Sequence, residues 1–90
     1  MNEGVKILMD SMSSEVAAAK QEIGFDEAFT LHHRTVFRCA RAVLNDSGLA
    51  EDVTQEVFLR LYNNLSSIKN EEMLRPWLIR VTINLARNTI

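Results

Sequence analysis

Glycine holds only three positions of this 90-residue chain and proline only one, Pro76, and no stretch alternates apolar and polar side chains long enough to make a strand. A backbone with so few breaks satisfies its own N–H and C=O groups most simply as α-helix. An all-α fold is therefore expected, and the spacing of apolar residues marks the helices.

A first helix is expected over residues 13–23, ended by Gly24 as a C-terminal cap, with Val5, Leu8, Met9 and Met12 continuing its apolar spacing backwards. A second begins after Asp26, a good N-cap, and sets Phe29, Val36, Phe37, Ala40, Val43 and Leu44 on one face. Asn45, Asp46, Ser47 and Gly48 end it. The third covers residues 49–65, with Ser47 as its cap, Glu51 and Asp52 at its positive end, and Val53, Val57, Phe58, Leu61 and Leu65 as its stripe. Residues 66–72 read as a polar loop holding one apolar residue, Ile68. The last helix is expected from about Met73, with Pro76 in its first turn and Trp77, Leu78, Val81, Ile83 and Leu85 toward the core. The expected architecture is a compact bundle of three main helices plus an N-terminal one.

Composition removes whole classes of function. With 47% hydrophobic and 24% charged residues the chain is too apolar for disorder, and no uninterrupted apolar run is long enough to cross a membrane. Glu3, Lys6 and Asp10 interrupt the N-terminus, which thus lacks the pattern of a secretory signal. A cytoplasmic protein with no membrane partner is expected. The single cysteine, Cys39, excludes an intramolecular disulfide or a cysteine-cluster metal site, and on an apolar helix face it reads as a buried, inert thiol. Adjacent His32 and His33 point about 100° apart on a helix and cannot share one metal ion, so they read as an exposed polar pair. Glu51, Asp52 and Glu56 lack the histidine three residues after a glutamate that carboxylate metal sites in bundles use. Neither a glycine-rich phosphate loop nor a nucleophile elbow is present. No catalytic residue, metal or cofactor is expected, and the chain does not read as an enzyme.

Net charge is only −2, yet sign is segregated along the chain. Arg34, Arg38 and Arg41 form one basic run, Asp46, Glu51, Asp52 and Glu56 an acidic one, and Arg75, Arg80 and Arg87 a second basic one. Residues 50–62 read Ala-Glu-Asp-Val-Thr-Gln-Glu-Val-Phe-Leu-Arg-Leu-Tyr. On a helix Asp52, Gln55, Glu56, Leu59 and Arg60 cluster outward while Val53, Val57, Phe58 and Leu61 turn inward, which makes either a docking surface or a solvated face. Residues 75–84 read Arg-Pro-Trp-Leu-Ile-Arg-Val-Thr-Ile-Asn, with Arg87 and Asn88 following. Arg80, Asn84, Arg87 and Asn88 recur at spacings of three and four, so one face presents two cations and two amides. Such a face suits a phosphate grip plus edge-on reading of a base, whereas Trp77 reads mainly as core.

These two segments, in this order, resemble region 2 of extracytoplasmic function (ECF) sigma factors of the sigma-70 family. The resemblance covers residues 25–90 and assigns residues 13–90 to the domain, with residues 1–12 as an N-terminal extension and no counterpart to the family's C-terminal helix-turn-helix. Since Ile90 is not preceded by a stop signal, the natural protein is expected to continue. The resemblance implies that Glu51, Asp52, Gln55, Glu56, Leu59 and Arg60 bind the clamp helices of the largest subunit of core RNA polymerase. It further implies that Ile68, Lys69, Asn70, Arg80, Asn84, Arg87 and Asn88 hold the promoter's non-template single strand, with residues 66–72 walling a pocket for a flipped base. Ile68 departs from members with an aromatic residue at that place, so base preference does not carry over, and Glu71 and Glu72 repel phosphate. The implied function is a transcription initiation domain that recognises and melts the minus-ten element; the alternative is a helical protein-interaction module, for example one sequestered by an anti-sigma factor.

Overall fold

The computed structural model describes residues 23–90, which form α1 (Phe25–Leu44), α2 (Ser47–Asn64), a 3-10 turn (Leu65–Ser67) and α3 (Glu71–Thr89). Most of the expected N-terminal helix, and the extension before it, lie outside the described residues.

The ends of each helix follow from identifiable hydrogen bonds, several of them one or two residues from where the sequence points. Gly24, not Asp26, is the N-cap of α1, its backbone extended at φ −79° and ψ 141° and its carbonyl accepting from the Ala28 N–H at 3.0 Å. Gly24 therefore adopts no left-handed conformation, while Asp26 and Glu27 lie inside the first turn and complement the helix dipole. At the other end Asn45 takes the left-handed conformation (φ 57°) that asparagine tolerates, and its N–H bonds the Arg41 carbonyl at 2.8 Å. Asp46 then caps α2, its side chain accepting from the Leu49 N–H at 2.8 Å. Ser47 is thus the first helical residue rather than the cap, and its hydroxyl accepts from the Arg41 guanidinium at 3.1 Å. Because only Asn45 and Asp46 separate the helices, α2 folds straight back along α1.

At α3, Asn70 accepts the Met73 N–H at 3.0 Å and starts the helix at Glu71, two residues before the expected point. Pro76 consequently falls inside the helix and not in its first turn, where it forgoes the bond an N–H would give to the Glu72 carbonyl.

Three buried stripes meet in the core. Ala28, His32, Val36 and Ala40 of α1 and Leu74, Leu78, Thr82 and Ala86 of α3 both recur every four residues, and α2 adds Ala50, Val53, Thr54, Val57, Phe58 and Leu61. Ile68 closes the core from the loop. Complete burial of Leu61, Leu74 and Leu78 contributes about 1.5–3 kcal/mol each. The buried threonines leave no hydroxyl unsatisfied, since Thr54 donates to the Ala50 carbonyl at 2.7 Å and Thr82 to the Leu78 carbonyl at 2.6 Å.

Three expectations about faces are corrected. Phe29 is 40% exposed while His32, read as half of an exposed polar pair, is buried at 7%. Rotation of α1 onto its alanine stripe lets the helices approach closely and turns Phe29 toward the rim. Ile83 is not among the residues packed on the core; Trp77, Val81 and Leu85 are.

Candidate nucleic-acid and partner-binding faces

α2 carries its polar face as the 3.6-residue period requires. Glu51, Asp52, Gln55, Leu59 and Arg60 are exposed, and Glu56 is half-buried. The Arg60 guanidinium donates to the Glu56 carboxylate at 3.2 Å, an i,i+4 pair worth only about 0.3–0.5 kcal/mol at this exposure. Among the described residues neither Glu51 nor Asp52 forms a salt bridge. Leu59 stands 55% exposed in the middle of it, an apolar centre within a polar rim.

An aromatic cluster shared with α1 adjoins this face, and the spacing of α2 residues alone does not reveal it. Phe29 stacks on His33 at 4.8 Å and meets Phe58 edge-on at 4.9 Å, while Phe25 meets Tyr62 edge-on at 5.6 Å. The only signal in the sequence was a pair of i,i+4 aromatic steps, Phe25 to Phe29 and Phe58 to Tyr62. Tyr62 is 64% exposed, and Phe29, His33, Arg34 and Phe37 wall a groove of about 360 Å³ whose other side is Glu51, Thr54 and Gln55. The acidic face of α2 therefore borders a groove whose α1 wall is aromatic and cationic.

On α3, Arg80, Asn84, Arg87 and Asn88 are all exposed. Asn84, a polar amide among Val81, Ile83 and Leu85, resolves its hydrogen-bonding need by facing solvent. Arg87 lies in the last turn, where a cation complements the dipole. Arg80 stands between two concavities. One, about 570 Å³ and shallow, is lined by Arg75, Pro76, Ile79, Arg80, Ile83 and Asn84. The other is a cleft of about 270 Å³ lined by Asn64, Ser67, Ile68, Met73, Pro76, Trp77 and Arg80.

The loop residues divide among different tasks. Ile68, expected among the residues that hold the single strand, is 5% exposed and serves as the floor of the cleft because its side chain completes the core. Asn70, expected to bond a base edge, already spends its side-chain oxygen on the Met73 N–H, which leaves its amide N–H groups for a ligand. Lys69 is exposed. Of the expected loop residues only Ile68 lines the cleft, which half-buried Trp77 and Arg80 complete; Lys69 and Asn70 do not line it, and Asn84 lines the neighbouring groove. Trp77 thus packs on the core with one side and borders the cleft with another.

Among the described residues no three histidine, cysteine, aspartate or glutamate side chains gather as a metal would need. Cys39 is half-buried, and that burial pushes the thiol pKa up from its ordinary value, which suppresses thiolate near neutral pH. No described helix is long and apolar enough to cross a membrane.

An acidic face, a cationic face and a loop cleft lie on one three-helix unit, and the family comparison decides the lineage. Residues 28–90 match the Sigma-70 region 2 family. The chain belongs to that family. Its relatives place it with the ECF branch of the sigma-70 proteins. It is 35% identical over 72 residues, 80% of this chain, to "Probable RNA polymerase sigma factor RfaY" of Xanthomonas campestris. To the ECF RNA polymerase sigma-E factor of Escherichia coli it is 28% identical over 86 residues, 90% of this chain. To the ECF RNA polymerase sigma factor SigM of Bacillus subtilis it is 34% identical over 59 residues, 66% of this chain. The chain spans 18%, 44% and 36% of these three relatives' own lengths, respectively. No solved structure matches it at a significant level.

Proposed function

We propose that this region 2 domain acts in transcription initiation by holding core RNA polymerase with α2 and unpaired promoter DNA with α3. The acidic face of Glu51, Asp52, Gln55, Glu56, Leu59 and Arg60 docks on the clamp helices of the polymerase's largest subunit. Arg80, Arg87, Asn84 and Asn88 grip the non-template strand of the minus-ten element, and Lys69 and Asn70, next in sequence to Ile68 of the loop cleft, contact the flipped base that the cleft receives. The observation that carries the reading is the cleft itself: Trp77 gives it an apolar wall, Ile68 an apolar floor and Arg80 a cationic rim. A base needs the first two for stacking and contact, and its phosphate needs the third.

Strand opening then requires no chemistry from the chain. The domain prefers unpaired to paired bases, and that differential affinity shifts the DNA toward the open state. With stacking worth about 1–3 kcal/mol per base, a few captured bases offset the loss of local pairing.

Fluorescence anisotropy with a labelled single-stranded oligonucleotide at low salt tests this assignment. Asn84→Ala should weaken binding while the exposed Thr30→Ala control does not; equal binding by both would remove Asn84 from the interface. Lysine at Asp52 and Glu56 should reduce capture of core polymerase without unfolding the domain, and unchanged capture contradicts the docking assignment. A second reading, a protein-interaction module that an anti-sigma factor sequesters, is favoured by one feature, the aromatic-walled groove between α1 and α2. No oligonucleotide binding at any salt, together with no polymerase capture, selects that reading.

A further inference from the structure

His32 occupies the buried stripe of α1 between Ala28 and Val36 and is 7% exposed. A buried imidazole costs solvation unless a ring nitrogen is bonded, and His32 Nε2 meets the Glu71 carboxylate at 2.5 Å, across 39 residues of sequence. Glu71 is the first residue of α3 and follows the Asn70 cap directly. Its carboxylate is thereby held from two sides, by the positive end of the α3 dipole and by the imidazole. Upstream, Ile68 is anchored in the core. Lys69 and Asn70 are thus suspended between two fixed points, one apolar and one hydrogen-bonded, and follow directly on Ile68, which lines the cleft with Trp77 and Arg80.

We propose that His32 is a positioning residue for nucleic-acid reading: through Glu71 it fixes the first turn of α3, and with it the aim of Lys69 and Asn70, without touching the ligand. The inference rests on the reading that the loop cleft takes an unpaired base. A role in packing alone makes the opposite prediction about which replacement is tolerated, because leucine fills the buried site better and glutamine keeps a donor near the Nε2 position.

The test compares His32→Gln, His32→Leu and Glu71→Ala in the 90-residue chain, using a labelled single-stranded DNA oligonucleotide, capture of core polymerase and thermal melts. The expected result is a loss of oligonucleotide affinity of about tenfold in His32→Leu and Glu71→Ala, no further loss when the two are combined, and a change within about twofold in His32→Gln. Capture through α2 stays within about twofold throughout, and His32→Leu melts no lower than His32→Gln. Affinity that follows Tm instead, with leucine tolerated and glutamine not, overturns the proposal. Amide hydrogen exchange in the free protein supplies a readout independent of DNA. Met73 and Leu74, whose N–H groups bond Asn70, should exchange about tenfold faster in His32→Leu and Glu71→Ala, with Val57 and Leu61 of α2 unchanged. Unchanged exchange alongside intact DNA binding overturns the positioning role alone. Faster exchange in variants of a parent chain that binds no oligonucleotide overturns the DNA reading, and the positioning role with it.

Discussion

Asp52, Gln55, Leu59 and Arg60 need only α2 to stand together, whereas Trp77 and Arg80 meet Ile68 only because the chain turns at residues 65–70 and returns as α3. The acidic face is a local object, built by the helical period of one segment. The loop cleft is a tertiary object, drawing its floor from the core, its wall from α3 and one edge from the end of α2. Damage to packing should therefore reach the cleft before it reaches the acidic face, and the two surfaces should be separable by mutation.

The largest effect erases the comparison. Leu78→Ala empties a fully buried site shared by both surfaces and should cost about 2–5 kcal/mol, seen as a large fall in the thermal midpoint, with DNA binding and polymerase capture lost together. Asn84→Ala comes next and should separate the surfaces: about tenfold weaker oligonucleotide binding, stability within about 0.5 kcal/mol, and polymerase capture unaltered. Equal loss of both activities would show that the faces are coupled.

The two helix caps sharpen the contrast at similar energy. Asp46→Ala and Asn70→Ala each remove a side-chain acceptor from a helix start and should each cost about 1 kcal/mol in urea denaturation. Only Asn70→Ala should also impair oligonucleotide binding, because only that cap belongs to the loop proposed to hold DNA. Arg80→Ala should lower the dependence of DNA affinity on salt by about one unit of log–log slope, leaving the α2 face untouched. The smallest effect belongs to Glu56 and Arg60, whose exposed pair should couple by no more than about 0.5 kcal/mol in a double-mutant cycle on stability.

The α2 face was legible because each assignment depended only on angular position around one helix. Val53, Val57, Phe58 and Leu61 turn inward as their spacing requires, and Asp52, Gln55, Leu59 and Arg60 turn outward. Much of α3 was legible for the same reason, including the exposure of Arg80, Asn84, Arg87 and Asn88. The joint roles given to Ile68, Asn70 and Asn84 were not. Ile68 is core, Asn70 is a cap, and Asn84 faces the adjoining groove, because sequence position alone does not say which turn of a helix lies opposite which part of a loop. His32 was misread on similar grounds: its burial depends on Glu71, a partner that no local window contains.

Helical content, the approximate length of each helix and the inward or outward sense of most α2 and α3 positions were determined by the chain itself, since they arise from backbone hydrogen bonding and a fixed angular period. Only the tertiary structure decided that α1 buries Ala28 and His32 and leaves Phe29 at the rim, and that a loop isoleucine closes the core. Those outcomes depend on which surfaces of three helices approach closest, and small side chains win the contact because they let the backbones come together.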